Sequence, residues 1–128
     1  MPMENVMNRG GKKLNMRESI LVSVKKMLGI TDEYKHFDAD LIMHINTAFM
    51  ILSQLGVGPD GFSISDETAT WAEYLPDIAK LEAVRTYVYL KVKLVFDPPL
   101  NATVTACYEK TISELEYRLS VAAKNTQE

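Results

Sequence analysis

Asp97-Pro98-Pro99 stands between two long stretches whose apolar residues recur every three to four positions, and no other feature restricts the fold as strongly. Before it, Leu81, Val84, Val88, Val92 and Val95 keep one helix face from Asp77 to Phe96. After it, Val104, Tyr108, Ile112, Leu115 and Leu119 do the same, with Lys110, Glu114 and Arg118 four apart on the wet side. A residue before proline is pushed out of the α region, so the first helix has to stop there, and Asn101 can start the next. A short link between long helices favours an antiparallel hairpin. The run Thr86 to Val95 offers a competing strand pattern, because Val88, Leu90, Val92 and Leu94 alternate with Tyr89, Lys91 and Lys93. Helix is the better reading: Asp77 to Leu90 continues the helical spacing without a turn signal, and the chain holds no second strand-like run to pair with this one.

Upstream, the pattern predicts two further helices and a short one. Asn15, with Glu18 three residues later, reads as a capping box, and Ile20, Leu21, Val24 and Leu28 form a stripe that Gly29 closes. Phe37-Asp38 reads as an apolar residue before an N-cap. Leu41, Ile45, Ala48, Leu52 and Leu55 then share a face, flanked by Ile42 and Phe49, and Gly56 ends the helix. Between Leu41 and Leu55 nothing is charged apart from His44, which suggests a central helix covered on most sides by its own fold or by neighbouring subunits. Val57 to Glu67 is a turn-rich connection carrying Phe62 and Ile64, and Thr68 to Leu75 makes a helical turn presenting Trp71 and Tyr74 before Pro76 breaks it. The fold class expected is therefore all-α: a small helical bundle with a long antiparallel helical hairpin. Residues 1–14 form a flexible N-terminal arm, 15–123 a single helical domain and 124–128 a frayed C-terminal tail.

Charge is divided along the chain. Residues 1–30 carry Arg9, Lys12, Lys13, Arg17, Lys25 and Lys26 against Glu4 and Glu18, a balance of +4, which leaves −7 for the remainder of a chain whose net charge is −3. Residues 38–79 contain Asp38, Asp40, Asp60, Asp66, Glu67, Glu73 and Asp77 and no Lys or Arg. Apolar stretches fall far short of the roughly 20 residues needed to cross a bilayer, and the start of the chain has no apolar signal-peptide core. No membrane association is expected, and synthesis and retention in the cytosol are. Cys107 stands alone, which fits a reducing compartment and a packing role in core or interface.

Chemistry-bearing constellations are sparse. His36, Asp38, Asp40 and His44 have the residue types of metal ligands, but Asp38 reads as an N-cap, Asp40 as a first-turn acid favoured by the helix dipole, and His44 as a packed or polar-face histidine. Neither a nucleophile–base pair nor a phosphate-loop pattern is visible, so no enzyme activity, cofactor or metal is expected. Lys12, Lys13, Arg17, Lys25 and Lys26 keep nucleic-acid binding open as an alternative, a small DNA-binding or transcription-regulatory protein, although an acidic chain lacks the basic recognition helix of such a reader. A helical enzyme fragment is a third reading. Phe62, Ile64, Trp71 and Tyr74 allow two readings, a satellite core under a loop or anchors at a subunit contact. A head-to-tail ring needs two different complementary patches, and a basic start (Arg9, Lys12, Lys13, Arg17) meeting an acidic middle (Asp66, Glu67) supplies them.

The stretch LEAVRTYVYLKVKLVFDPPLNATVTACYEKTISELEYRL, with its Phe96-Asp97-Pro98-Pro99 corner, resembles the head-tail connector (head-completion adaptor) proteins of tailed bacteriophages. The likeness extends upstream through ILVSVKKMLGI, FDADLIMHINTAFMILSQLGVG and the Trp71 segment, covering most of residues 16–122, and rests on their order and spacing. It implies an α-helical subunit of a twelve-fold homo-oligomeric ring at the virion neck, between the portal protein and a stopper or tail-completion protein, with DNA passing through the lumen without specific binding. No enzyme activity and no catalytic residues come with the resemblance.

Overall fold

The computed structural model describes residues 6–7, 13–14 and 16–127. Its elements are the two-residue strands β1 (Val6–Met7) and β2 (Lys13–Leu14), then α1 (Ile20–Leu28), α2 (Asp38–Gln54), α3 (Trp71–Tyr74), α4 (Ile78–Phe96) and α5 (Ala102–Gln127). Helices carry the fold, as the spacing predicts. β1 and β2 pair antiparallel, Val6 opposite Leu14 and Met7 opposite Lys13, in the segment expected to be an arm, and the rest of that arm lies outside the described residues. At the other end α5 continues past Lys124, where a frayed tail was expected.

Helix α4 occupies the middle. Leu81, Val84, Val88 and Val92 are buried along one line and Tyr87 and Leu90 along another, so more than half of its circumference is covered. It packs against α1, α2 and α5, whereas α2 and α5 barely meet each other. This explains the strand-like look of residues 86–95: a helix covered on two sides carries apolar residues beyond one stripe, and the extra ones mimic a period of two. The central position expected for α2 thus belongs to α4. Phe37, at the entrance to α2, stacks edge-on against Phe96 at the end of α4 with ring centroids 5.0 Å apart, which sets the two helices antiparallel.

Local chemistry decides the helix ends. α1 starts at Ser19, whose Oγ accepts the Val22 N–H at 3.1 Å, and not at Asn15. The capping box fails because residues 16–20 are bonded through their backbone to 69–72. Ala72 N donates to Met16 O, Trp71 N to Glu18 O and Ile20 N to Ala69 O, so these backbone groups are already committed. Gly29 closes α1 with φ +82°, a conformation only glycine takes without cost. The Ile30 and Gly29 N–H groups return to Lys25 O and Lys26 O in the Schellman arrangement. Asp38 also departs from expectation: Phe37 holds the N-cap position, and the Asp38 carboxylate turns to Lys25. Asp77 caps α4 through the Ala79 N–H, and Asn101 caps α5 through those of Thr103 and Val104.

After the proline corner, α5 rejoins the body only gradually. Ile112, Leu119 and Ala123 are buried, Tyr108 and Leu115 half-buried, but Leu100 and Val104 are exposed, so the expected stripe begins later than Val104. Tyr87 Oη donates to Glu116 Oε2 at 2.7 Å and ties the two arms of the hairpin together. Leu81, wholly buried in α4, is the side chain whose loss tests this arrangement. Leu81→Ala is expected to lower unfolding free energy by about 2–5 kcal/mol in urea titrations. Val95→Ala, at an exposed position on the same helix, should change it by less than about 0.5 kcal/mol.

Candidate partner-binding surface

The aromatic residues for which core packing and contact were both open form a cluster inside the chain. Trp71 and Tyr74 of α3 are buried around Phe49 of α2, with ring centroids 6.2 and 4.6 Å away, and half-buried Phe62 sits against Phe49 and Tyr74 at 5.1 Å each. The indole N–H donates to Ser23 Oγ at 2.8 Å, Ser23 Oγ–H to Ile20 O, and the Arg85 guanidinium lies 5.6 Å over the indole ring. Ile64 is held from both sides by one amide: its N–H donates to Asn46 Oδ1, and Asn46 Nδ2 donates to its carbonyl. Gly58 leaves room for this cluster, since a Cβ there would fall 2.5 Å from the Tyr74 ring. Ile64, Trp71 and Tyr74 are buried as part of the main core, which favours packing over contact. A side chain enclosed by its own chain has little surface to give a partner.

The charged candidates fare differently. Asp66 and Glu67 are exposed. Asp66 accepts from the Thr68 hydroxyl and N–H, which hold its carboxyl below the usual range, and Glu67 pairs with Lys35 at 2.9 Å, whose hydrogen bond raises the lysine. Arg17 is exposed beside the entry to α1; Lys13 lies in β2, while Arg9 and Lys12 fall outside the described residues. Lys25, counted among possible phosphate contacts, is buried. Its ammonium donates to Asp38 Oδ1 at 2.8 Å, Tyr34 O at 2.8 Å and Asp32 O at 3.2 Å, a complete shell that fixes the 30–37 connection between α1 and α2. Lys26 reaches Glu18, which also meets Arg85. The basic first helix is thus partly consumed by internal pairing, and the DNA-binding alternative loses one of its named residues.

Sequence reasoning missed the surface that the fold leaves uncovered. Opposite its buried face, α2 exposes Asp40, Met43, Thr47, Met50 and Gln54 in successive turns, with Met43 57% and Met50 54% exposed. The signal in the sequence was the absence of charge from Leu41 to Leu55, read as a helix covered by its own fold or by neighbouring subunits; within the chain this face of α2 stays open. Next to it, His44, Thr47 and Ala48 line a cavity of about 250 Å³ with Lys91, Leu94 and Val95 of α4. On the far flank, α5 exposes Tyr117 and Val121. Cys107 is exposed on α5, not packed in the core.

Among the described residues no three His, Cys, Asp or Glu side chains gather in a metal-binding group, and no buried side-chain nitrogen or oxygen lacks a hydrogen-bond partner. No helix of the described residues is long and apolar enough to cross a membrane. Tyr74 and Tyr87 both hold their phenolic protons well above the ordinary value. Burial is the main cause for each, with the Glu116 carboxylate adding to it at Tyr87. The folded chain keeps these protons at pH values where the unfolded chain releases them. Their contribution to stability is therefore complete below about pH 10 and falls above it by up to about 1.4 kcal/mol per pH unit for each tyrosine. Tyr87→Phe should remove one tyrosine's share of that slope between roughly pH 10 and 11, read from urea unfolding at each pH; an unchanged slope would show that Tyr87 does not contribute.

A model of the family described as phage connector protein matches residues 20–126 of the chain, from the first residue of α1 almost to the end of α5. No curated protein and no solved structure matches it.

Proposed function

The chain belongs to the phage connector protein family, and from that premise we propose that it is a structural subunit of the phage neck. In this reading, copies form a ring that joins the portal at the DNA-filled head to the stopper or tail, and DNA passes through the opening. The match of the whole helical body to the family carries the proposal. A physical observation supports it: α2 leaves an exposed face centred on two methionines, surface of the kind that marks protein contacts.

The role is assembly and not catalysis. Buried polar groups with catalytic potential, Lys25, Tyr74, Tyr87 and Ser23, are engaged with partners inside the fold. Arg17 with Arg9, Lys12 and Lys13, and exposed Asp66 and Glu67, remain the charged candidates for contact with neighbouring copies or the portal. Phe62, half-buried, contributes at most an edge.

Mixing the purified chain with the portal protein encoded in the same genome is expected to add a collar to portal rings, visible by sedimentation and negative-stain imaging. Absence of a collar, with both proteins folded, would move the assignment to a helical regulator and call for a DNA-binding assay. In the ring, the pore-facing surface should be net acidic or neutral, because like charge denies DNA the counterion release that makes basic surfaces hold it. A solved ring whose lumen is lined with Lys and Arg would contradict this.

A further inference from the structure

The α2–α4–α5 layer has two outer flanks, and each carries an exposed apolar centre between charges of one sign. On α2, Met43, Thr47 and Met50 lie between Asp40 at the start of the helix and Asp60 near its end, where Ser53 Oγ–H donates to Asp60 Oδ1 at 2.9 Å. The Thr47 hydroxyl turns back to Met43 O, which satisfies its polar atom within the helix. On α5, Tyr117 and Val121 lie between Lys110 and Lys124, all on the face opposite buried Ile112, Leu119 and Ala123. Tyr117 is 70% exposed. Beside it, Glu114 and Arg118 neutralise each other at 2.9 Å.

The two faces match in length as well as in sign. Lys110 to Lys124 spans fourteen helical residues, about 21 Å at 1.5 Å per residue, and Asp40 to Ser53, beside Asp60, spans thirteen, about 20 Å. An acid–apolar–acid strip therefore fits a base–apolar–base strip of equal length. Because α4 separates the two flanks, one copy cannot bring them together; they can meet only between copies. Because the two faces lie on opposite flanks, their contact is heterologous, the kind that builds a ring when the rotation between copies closes and a filament when it does not.

We propose that the α2 face centred on Met43, Thr47 and Met50 packs against the α5 face centred on Tyr117 and Val121 of the next copy of this chain, with Asp40 and Asp60 facing Lys110 and Lys124. The proposal rests on the ring reading above and names the surfaces that make it. Tyr117 is the anchor, since an exposed aromatic side chain loses little entropy on contact and covers a large area, and methionine adapts its shape to it.

The test uses the full chain assembled on its portal. Met43→Glu with Met50→Glu in one variant, and Tyr117→Glu with Val121→Glu in another, should each abolish collars while circular dichroism stays that of the parent. Asp40→Lys with Asp60→Lys should also lose collars, and adding Lys110→Glu with Lys124→Glu to the same chain should restore them. In a Cys107→Ser background, Thr47→Cys with Tyr117→Cys should give a ladder of linked copies when collars are treated with a short bismaleimide. Collars that survive both face variants and yield no ladder would overturn this pairing and leave the ring intact. A parent chain that forms no collar at all would overturn the ring reading and this pairing with it.

Discussion

Everything in the arrangement follows from the need to cover α4 on more than one side. A helix with Leu81, Val84, Val88 and Val92 on one line and Tyr87 and Leu90 on another exposes too much apolar surface for a single neighbour. Two long helices are needed, and the chain supplies α2 before it and α5 after it. Placing α4 between them leaves each flanking helix with one face on the body and one face turned away. The outer faces are thus a geometric consequence of burying the middle helix. Their composition is a separate matter, and on α2 the chain puts methionine and threonine where a solvated helix would carry Lys and Glu.

The second constraint is the connection between α1 and α2, organised by one buried ammonium. Lys25 has left water, and the cost of that step is met only because two carbonyls and the Asp38 carboxylate surround it. Removing any of them would leave a charge with an incomplete shell, so residues 30–37 have little freedom to rearrange. Their placement brings Phe37 onto Phe96 and locks the entrance of α2 to the exit of α4. From the middle of α2 onward, Asn46 and the aromatic cluster around Phe49 secure the 57–75 segment to the same helix. A rigid body with both connections pinned is suited to an assembly in which faces must hold their shape before they meet.

Much of the fold was legible, and the errors have a common origin. The proline corner, the hairpin, the glycine closing α1 and the Asn101 cap all depend on local rules: allowed dihedrals, orphan N–H groups and helical spacing. The failures came where a residue with a sound local use found a stronger distant partner. Asn15 and Glu18 make a good capping box, but residues 16–20 are held by the backbone of 69–72. Asp38 is a good N-cap, but a buried lysine thirteen residues away takes its carboxylate. For Trp71, Tyr74 and Ile64 the sequence left packing and contact both open, because nothing local reveals that Ser23, Phe49 and Asn46 receive them.

The sequence by itself determined the helical class, the long hairpin and its corner, the division of charge, and a likeness to connector proteins that the family match bears out. Those properties reside in the order of residues along the chain and survive without knowing what touches what. Tertiary structure alone decided which helix is central, which lysine is buried, and which of the apolar residues remain on the surface. The reason is physical: a helical stripe states that a face is apolar, but whether that face is covered depends on how many neighbours the body can place around it. For α4 there were enough, and for the outer sides of α2 and α5 there were none among the described residues.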